Sequence, residues 1–232
     1  VPPKSVSGVI PSDEVLKRIQ AHYIESVAQA EDEYVHGELK DEESLTEALG
    51  AAYGSLDETI EGVDYACHLV ADYRKLHKRK KGAADVGRHR GIFQIELMDD
   101  PRSVQYRFGL LFHAKVQWRG RDADLLAQSQ KLNGNFRRAI VMDYSAEGYT
   151  AASATHVIAA DGDRRRMRHR VRKLSQMLAI EFVHGRMGIL NLYWDANKER
   201  LHDPLEQADP LPIEHVFSIR SWTKLNSGTG SN

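Results

Sequence analysis

The run Tyr106-Arg107-Phe108-Gly109-Leu110-Leu111-Phe112-His113-Ala114-Lys115-Val116 constrains this chain most. It reads as an apolar strand with a lysine near its end. A charged lysine in such a run is costly to bury without a partner. The preceding segment Ile92-Phe93-Gln94-Ile95-Glu96-Leu97 is also strand-like, and Asp99-Asp100-Pro101-Arg102 between them is a turn. The two segments can pair as an antiparallel hairpin. A helix is expected over 122–132, with Leu125, Gln128 and Leu132 along one side, and Asn133-Gly134-Asn135 breaks it. Segments 139–144 and 156–160 read as further strands. Strands alternating with helices predict an α/β fold, a central mixed sheet flanked by helices.

The front of the chain reads as helical. Ser12 can cap a helix in which Val15, Leu16, Ile19, Ile24 and Val27 fall near a 3.6 period. A second helix over 42–53 carries Leu45, Leu49 and Tyr53 on one face, and Gly54 ends it. Ser55-Leu56-Asp57-Glu58 reads as a capping box, opening a third helix with Ile60, Val63, Cys67 and Val70 as its inner stripe. A long helix over 164–183 is expected from Met167, Val171, Leu174, Met177, Leu178 and Phe182. Past Asp195 the chain becomes proline-bearing, and Ser227-Gly228-Thr229-Gly230-Ser231-Asn232 reads as a linker. The expected organisation is a helical N-terminal region (1–81), a core of sheet and helices (82–195) and a C-terminal extension (196–232).

Charge is segregated. Lys and Arg number 32 against 33 Asp and Glu, yet residues 12–64 hold 15 acidic and 3 basic side chains. Thirteen basic residues fall in two blocks, 74–81 and 164–173. Arginines at a helix N-terminus oppose the macrodipole, which an anionic partner would relieve. Arg164, Arg165, Arg168, Arg172 and Lys173 are therefore the candidate nucleic-acid-binding residues, since arginine suits bidentate phosphate contacts. One cysteine, Cys67, excludes an intramolecular disulfide and a four-thiolate zinc site, and fits a reducing compartment. No apolar run is long enough to span a bilayer and no signal pattern opens the chain, so a cytoplasmic protein without a membrane partner is expected. A first residue of valine suggests a processed or excised module. There is no P-loop, Gly-x-Ser-x-Gly or His-Glu-x-x-His pattern.

What remains is a set of polar residues in a suggestive order. Glu42-Glu43-Ser44-Leu45-Thr46 opens the second helix, Gly82-Ala83-Ala84-Asp85-Val86-Gly87 precedes the first strand of the hairpin, and Phe112-His113-Ala114-Lys115 lies in its second strand. Hydrolysing a phosphodiester requires charge neutralisation and an activated water, and a divalent metal supplies both. Asp85 could bind Mg²⁺ or Mn²⁺, with Glu42 or Glu43 holding the metal or its water. Lys115 would orient the water or stabilise developing charge. His113 and Lys115, two apart, share a strand face.

These segments resemble the PD-(D/E)XK nuclease superfamily, in particular bacterial restriction and anti-phage defence nucleases. Members show an acidic residue before a Leu-Thr helix, a Gly-Ala-Asp segment, an apolar strand ending in Gln-Ala-Lys, and a following helix with a glutamine, here Gln128. The resemblance covers roughly 40–145. It implies a restriction-endonuclease-like core and a metal-dependent deoxyribonuclease. Its implied catalytic set is Glu42, Asp85, His113, Lys115 and Gln128, with Asp85, His113 and Glu42 as metal ligands. Double-stranded DNA is the implied substrate, and a regulatory or sensor domain or subunit the implied partner. The oligomeric state is left open, a homo-oligomer included. The family places Glu or Gln where this chain has His113, and histidine suits Mn²⁺ better than Mg²⁺. The extra alanine before Asp85 is a second departure. Either change implies an altered metal preference or a domain that binds nucleic acid without cutting it. A protein-interaction domain using the acidic front is the third alternative.

Overall fold

The computed structural model describes residues 12–35, 41–61, 65–76, 90–100, 103–132, 138–145, 147–204 and 212–225. Two helices open the chain, α1 (Asp13–Val35) and α2 (Glu42–Tyr53), followed by strands β1 (Asp57–Glu61) and β2 (Tyr65–Lys75). The hairpin β3 (Arg90–Asp100) and β4 (Ser103–Val116) leads through α3 (Ala123–Leu132) to β5 (Ala139–Ser145) and β6 (Gly148–Ser153). Then come α4 (Ala154–Ala159), a 3-10 turn (Arg164–Met167), β7 (Arg172–Lys173) and α5 (Leu174–Gln176), which continues in π geometry over Met177–Phe182. Short strands β8 (Ile189–Leu190), β9 (Tyr193–Asp195) and β10 (Arg200–His202) precede β11 (His215–Leu225).

Among the described residues nine strands form one mixed sheet in the order β1-β2-β11-β3-β4-β5-β6-β7, with β8 against β4. The β3–β4 pair is antiparallel, as the intervening turn predicts, and β4 runs parallel to β5 across the α3 crossover. Alternation along the strands gives the sheet two different faces. Phe93, Leu110, Phe112, Ala114, Met142 and Phe217 point into the larger core, closed by α1, α2 and the helix at 174–182. Trp118, Leu125, Val141, Ala152 and Val157 line the opposite core, under α3 and α4. The fold is thus α/β, a mixed central sheet flanked by helices. No helix among the described residues is long and apolar enough to cross a membrane.

Local chemistry explains α2. Asp41 caps it, its carboxylate accepting from the Ser44 N–H at 2.8 Å and the Ser44 hydroxyl at 2.7 Å. Gly50 lets it pack closely on β2, because a Cβ there would sit 2.4 Å from the Tyr73 ring. In α1 the buried stripe is Val15, Ile19, Tyr23, Val27 and Ala30, while Ile24, expected inside, is 51 % exposed. Tyr23 takes its place because it packs on Tyr53, Phe93 and Phe182.

Four expected elements are corrected. The third helix is the β1–β2 hairpin: Cys67, Leu69 and Ala71 are buried in a period of two. Asp57, read as part of a capping box, begins β1, and Val63 lies outside the described residues. The strand at 156–160 is α4, capped by the Ser153 hydroxyl on the His156 N–H at 3.3 Å. The long helix at 164–183 is broken, because Met167 packs in the core under α4 while Leu174, Leu178 and Phe182 pack in the core on the other face. The chain must round the sheet edge between them, and β7 pairs with β6 there. Finally, the segment expected as a C-terminal extension supplies β11, which lies between β2 and β3, antiparallel to one and parallel to the other.

Candidate functional site

The end of β4 gathers polar side chains on the face that carries α3 and α4. His113 is buried and Lys115 partly exposed, while Phe112 and Ala114, which alternate with them, enter the opposite core. Lys115 Nζ lies 2.9 Å from Asp122 Oδ2. Asp122 also caps α3, accepting the Leu125 N–H at 2.8 Å. Burial raises the Asp122 carboxyl, but that N–H and the Lys115 ammonium outweigh it and hold the group below the usual carboxylate range. Asp122→Ala is expected to cost about 1–2 kcal/mol at neutral pH, mostly as a lost cap. A depressed carboxyl stabilises above its unfolded pKa, so the deficit against wild type should shrink as pH falls below about 4. Urea titrations at pH 7 and pH 3 check both.

Asp143 on β5 is the register partner of Lys115 and is buried. Burial pushes its carboxyl up, opposed by the Trp118 N–H, which it accepts at 2.9 Å, and by Arg164, whose Nε stands 3.5 Å away. Gln117, at φ 52°, turns the chain off β4 and brings Trp118 round to Asp143. The Trp118 indole N–H donates to the carbonyls of Gly120 and Gly162, and the Arg164 guanidinium lies 5.8 Å from its ring centroid.

Glu42, the first residue of α2, reaches the same strand end. Its Oε1 accepts the Val116 N–H at 3.2 Å. Gln128 projects from α3, and its amide oxygen accepts from Arg90, the register partner of His113 at the start of β3. Four of the five expected catalytic residues, Glu42, His113, Lys115 and Gln128, therefore converge on one end of β4 and its neighbours. The fifth, Asp85, lies outside the described residues. Glu42 engages the strand backbone beside Lys115, and no contact joins it to His113 among the described residues.

The arginine block does not lie on one helix face. Arg165 is held by Asp163 through two 3.0 Å contacts, and Arg172 pairs with Glu181 at 2.6 Å. Arg168 and Lys173 are exposed. The block abuts the loop after β4, since Arg164 N–H bonds the Gly120 carbonyl at 3.1 Å and Arg121 pairs with Asp163 as a β-bridge. Arg119, Arg121, Arg165, Arg166, Arg168 and Arg170 are exposed, with Arg121 paired to Asp161 and Arg165 to Asp163. Burial lowers the His156 imidazole, and the charges of Arg170 and Arg172 lower it further.

A divalent ion prefers several oxygen ligands. Asp122 and Asp143 are already engaged with Lys115 and Arg164, and no group of three or more His, Cys, Asp or Glu side chains stands close enough to hold a metal among the described residues. These residues alone do not make a metal centre.

Sequence reasoning missed Asp122, Asp143 and Arg90. Asp143 carried a readable signal, a charge inside the apolar run Ala139-Ile140-Val141-Met142-Asp143-Tyr144, the same signal that singled out Lys115. No family model, curated protein or solved structure matches the chain.

Proposed function

We propose that this chain is a metal-dependent endonuclease domain of restriction-endonuclease-like architecture that hydrolyses DNA phosphodiester bonds. On this reading it is an effector in restriction or anti-phage defence, under the control of a separate sensor domain or subunit. The observation that carries the reading is convergence. Glu42, His113, Lys115 and Gln128, spread over 87 positions of sequence, are brought to β4 and its neighbours, Glu42 from the α2 side onto the Val116 N–H and Gln128 from α3 through Arg90, the register partner of His113.

In this reading Asp85, with Glu42 and His113, holds Mg²⁺ or Mn²⁺. Among the described residues no complete ligand set is present, and this reading assigns the missing ligand to Asp85. The ion would supply charge neutralisation and an acidified water. Lys115, at the partly exposed strand end and paired with Asp122, orients the attacking water and stabilises developing negative charge. The exposed arginines beside Arg164 grip the phosphate backbone without reading bases. Plasmid cleavage by the purified chain with Mg²⁺, Mn²⁺ or EDTA tests the reading: cutting with metal and none in EDTA supports it.

A second reading has its own observation. Lys115 and Asp143 are each neutralised by an internal ion pair, as befits a domain that keeps the surface and has lost the chemistry. Salt-sensitive duplex binding without cleavage at any metal concentration would identify it. Either way, the triple variant Arg165→Ala, Arg168→Ala, Arg172→Ala is expected to weaken duplex binding. It should also flatten the slope of log K against log salt by about 1–3. A slope equal to wild type removes these residues from the interface.

A further inference from the structure

Arg90 is 1 % exposed. Charged side chains this deep ordinarily bring an opposite charge with them. Arg138, equally deep, does so by pairing with Asp203. Arg90 does not. Among the described residues its one side-chain hydrogen bond goes to the neutral amide oxygen of Gln128, and its Nε has no partner. Glu214, whose charge it feels and whose N–H bonds the Arg90 carbonyl at 2.9 Å, forms no ion pair with it. A positive charge left this way in a poorly screened interior projects a field onto its surroundings. Its surroundings include His113, directly across the β3–β4 ladder, with Lys115 two residues farther along the same face.

We propose that Arg90 is the buried anchor of an oxyanion site at the end of β4, where its charge, aimed by Gln128, and the Lys115 ammonium together hold a phosphate group. On the nuclease reading, on which the choice of ligand rests, that phosphate belongs to the DNA backbone. Gln128 is then a positioning residue for Arg90. The cost of burying an unpaired guanidinium is offset when the anion arrives, so the site trades stability of the free protein for ligand affinity.

Thermal unfolding of the whole chain in EDTA tests this, with inorganic phosphate or a short DNA duplex as the anion. The duplex at about ten times its Kd is expected to raise the wild-type Tm by roughly 4 °C. Arg90→Lys, which keeps the charge, should retain most of that rise. Arg90→Met should lose it, with at least a tenfold weaker affinity, while its Tm without anion equals or exceeds wild type. A merely structural arginine gives the opposite pattern. Arg90→Met would then unfold several degrees lower, or fail to fold, and an Arg90→Met protein that keeps the ligand-induced rise overturns the proposal equally. So does a folded Arg90→Lys that loses the rise. Wild type stabilised by phosphate but not by duplex, with no plasmid cleavage, keeps the oxyanion site and rejects the nuclease reading. Cleavage by wild type that Arg90→Met leaves intact keeps the nuclease reading and rejects the site.

Discussion

Lys115→Ala is expected to lower metal-dependent cleavage of plasmid DNA by about 10²–10³-fold, the effect of removing one charge-stabilising donor from an active site. Asp85→Ala should abolish cutting, because on this reading Asp85 is a ligand of the metal that activates the water. Asp85→Ala should not weaken duplex binding more than about threefold, since it removes no basic phosphate contact, and Lys115→Ala should weaken it no more than Arg90→Met does. Lys115 is partly exposed, and Asp122 keeps its bond from the Leu125 N–H without it, so the variant should remain folded. Rates are measured with Mg²⁺ and with Mn²⁺, because a histidine ligand at position 113 would favour manganese. Cleavage retained by both variants would remove these residues from the chemistry.

Phe217→Ala should cost about 3–5 kcal/mol, much of the stability of an ordinary domain. Phe217 is fully buried on β11, and its ring stands 4.8–5.7 Å from those of Phe93, Tyr73, Tyr53 and Phe112. Four elements meet at that ring, so no single neighbour can relax to fill the cavity. Urea unfolding followed by far-ultraviolet dichroism reads the loss. A cost below about 1 kcal/mol would mean that β11 does not hold the middle of the sheet.

Elements with an unambiguous local pattern were legible from sequence. The β3–β4 hairpin, α3 and β5 appear where alternation, a turn and a helix breaker put them. α2 spans the expected 42–53 and ends at Gly54. Within the candidate site, Lys115 was legible because a charge in an apolar strand demands a partner, and Asp122 supplies it. Gln128 was legible by position, but its attachment to Arg90 was not, because nothing local in the sequence says that Arg90 is buried.

The misread segments share a cause. Ile60, Cys67 and Val70 fit a helical stripe as well as a strand; β1 pairs with β2, and β2 is fixed in the sheet by β11, where Cys67 faces Thr223, 156 residues on in chain order. The segment 164–183 is apolar enough for one long helix. Its two halves belong to cores on opposite faces of the sheet, so the helix breaks at the sheet edge. Both outcomes are set by partners distant in sequence, which no window of neighbouring residues contains.

The amino-acid sequence by itself determined that this chain alternates strands and helices around a lysine-bearing apolar strand, because the period of its apolar residues and its turn chemistry act locally. Only the tertiary structure decided that the C-terminal strand enters the middle of the sheet. Only it placed Arg90 beside His113 with no ion pair among the described residues, and tied Lys115 and Asp143 into ion pairs. Burial and charge pairing depend on which surfaces meet, and those meetings are long-range.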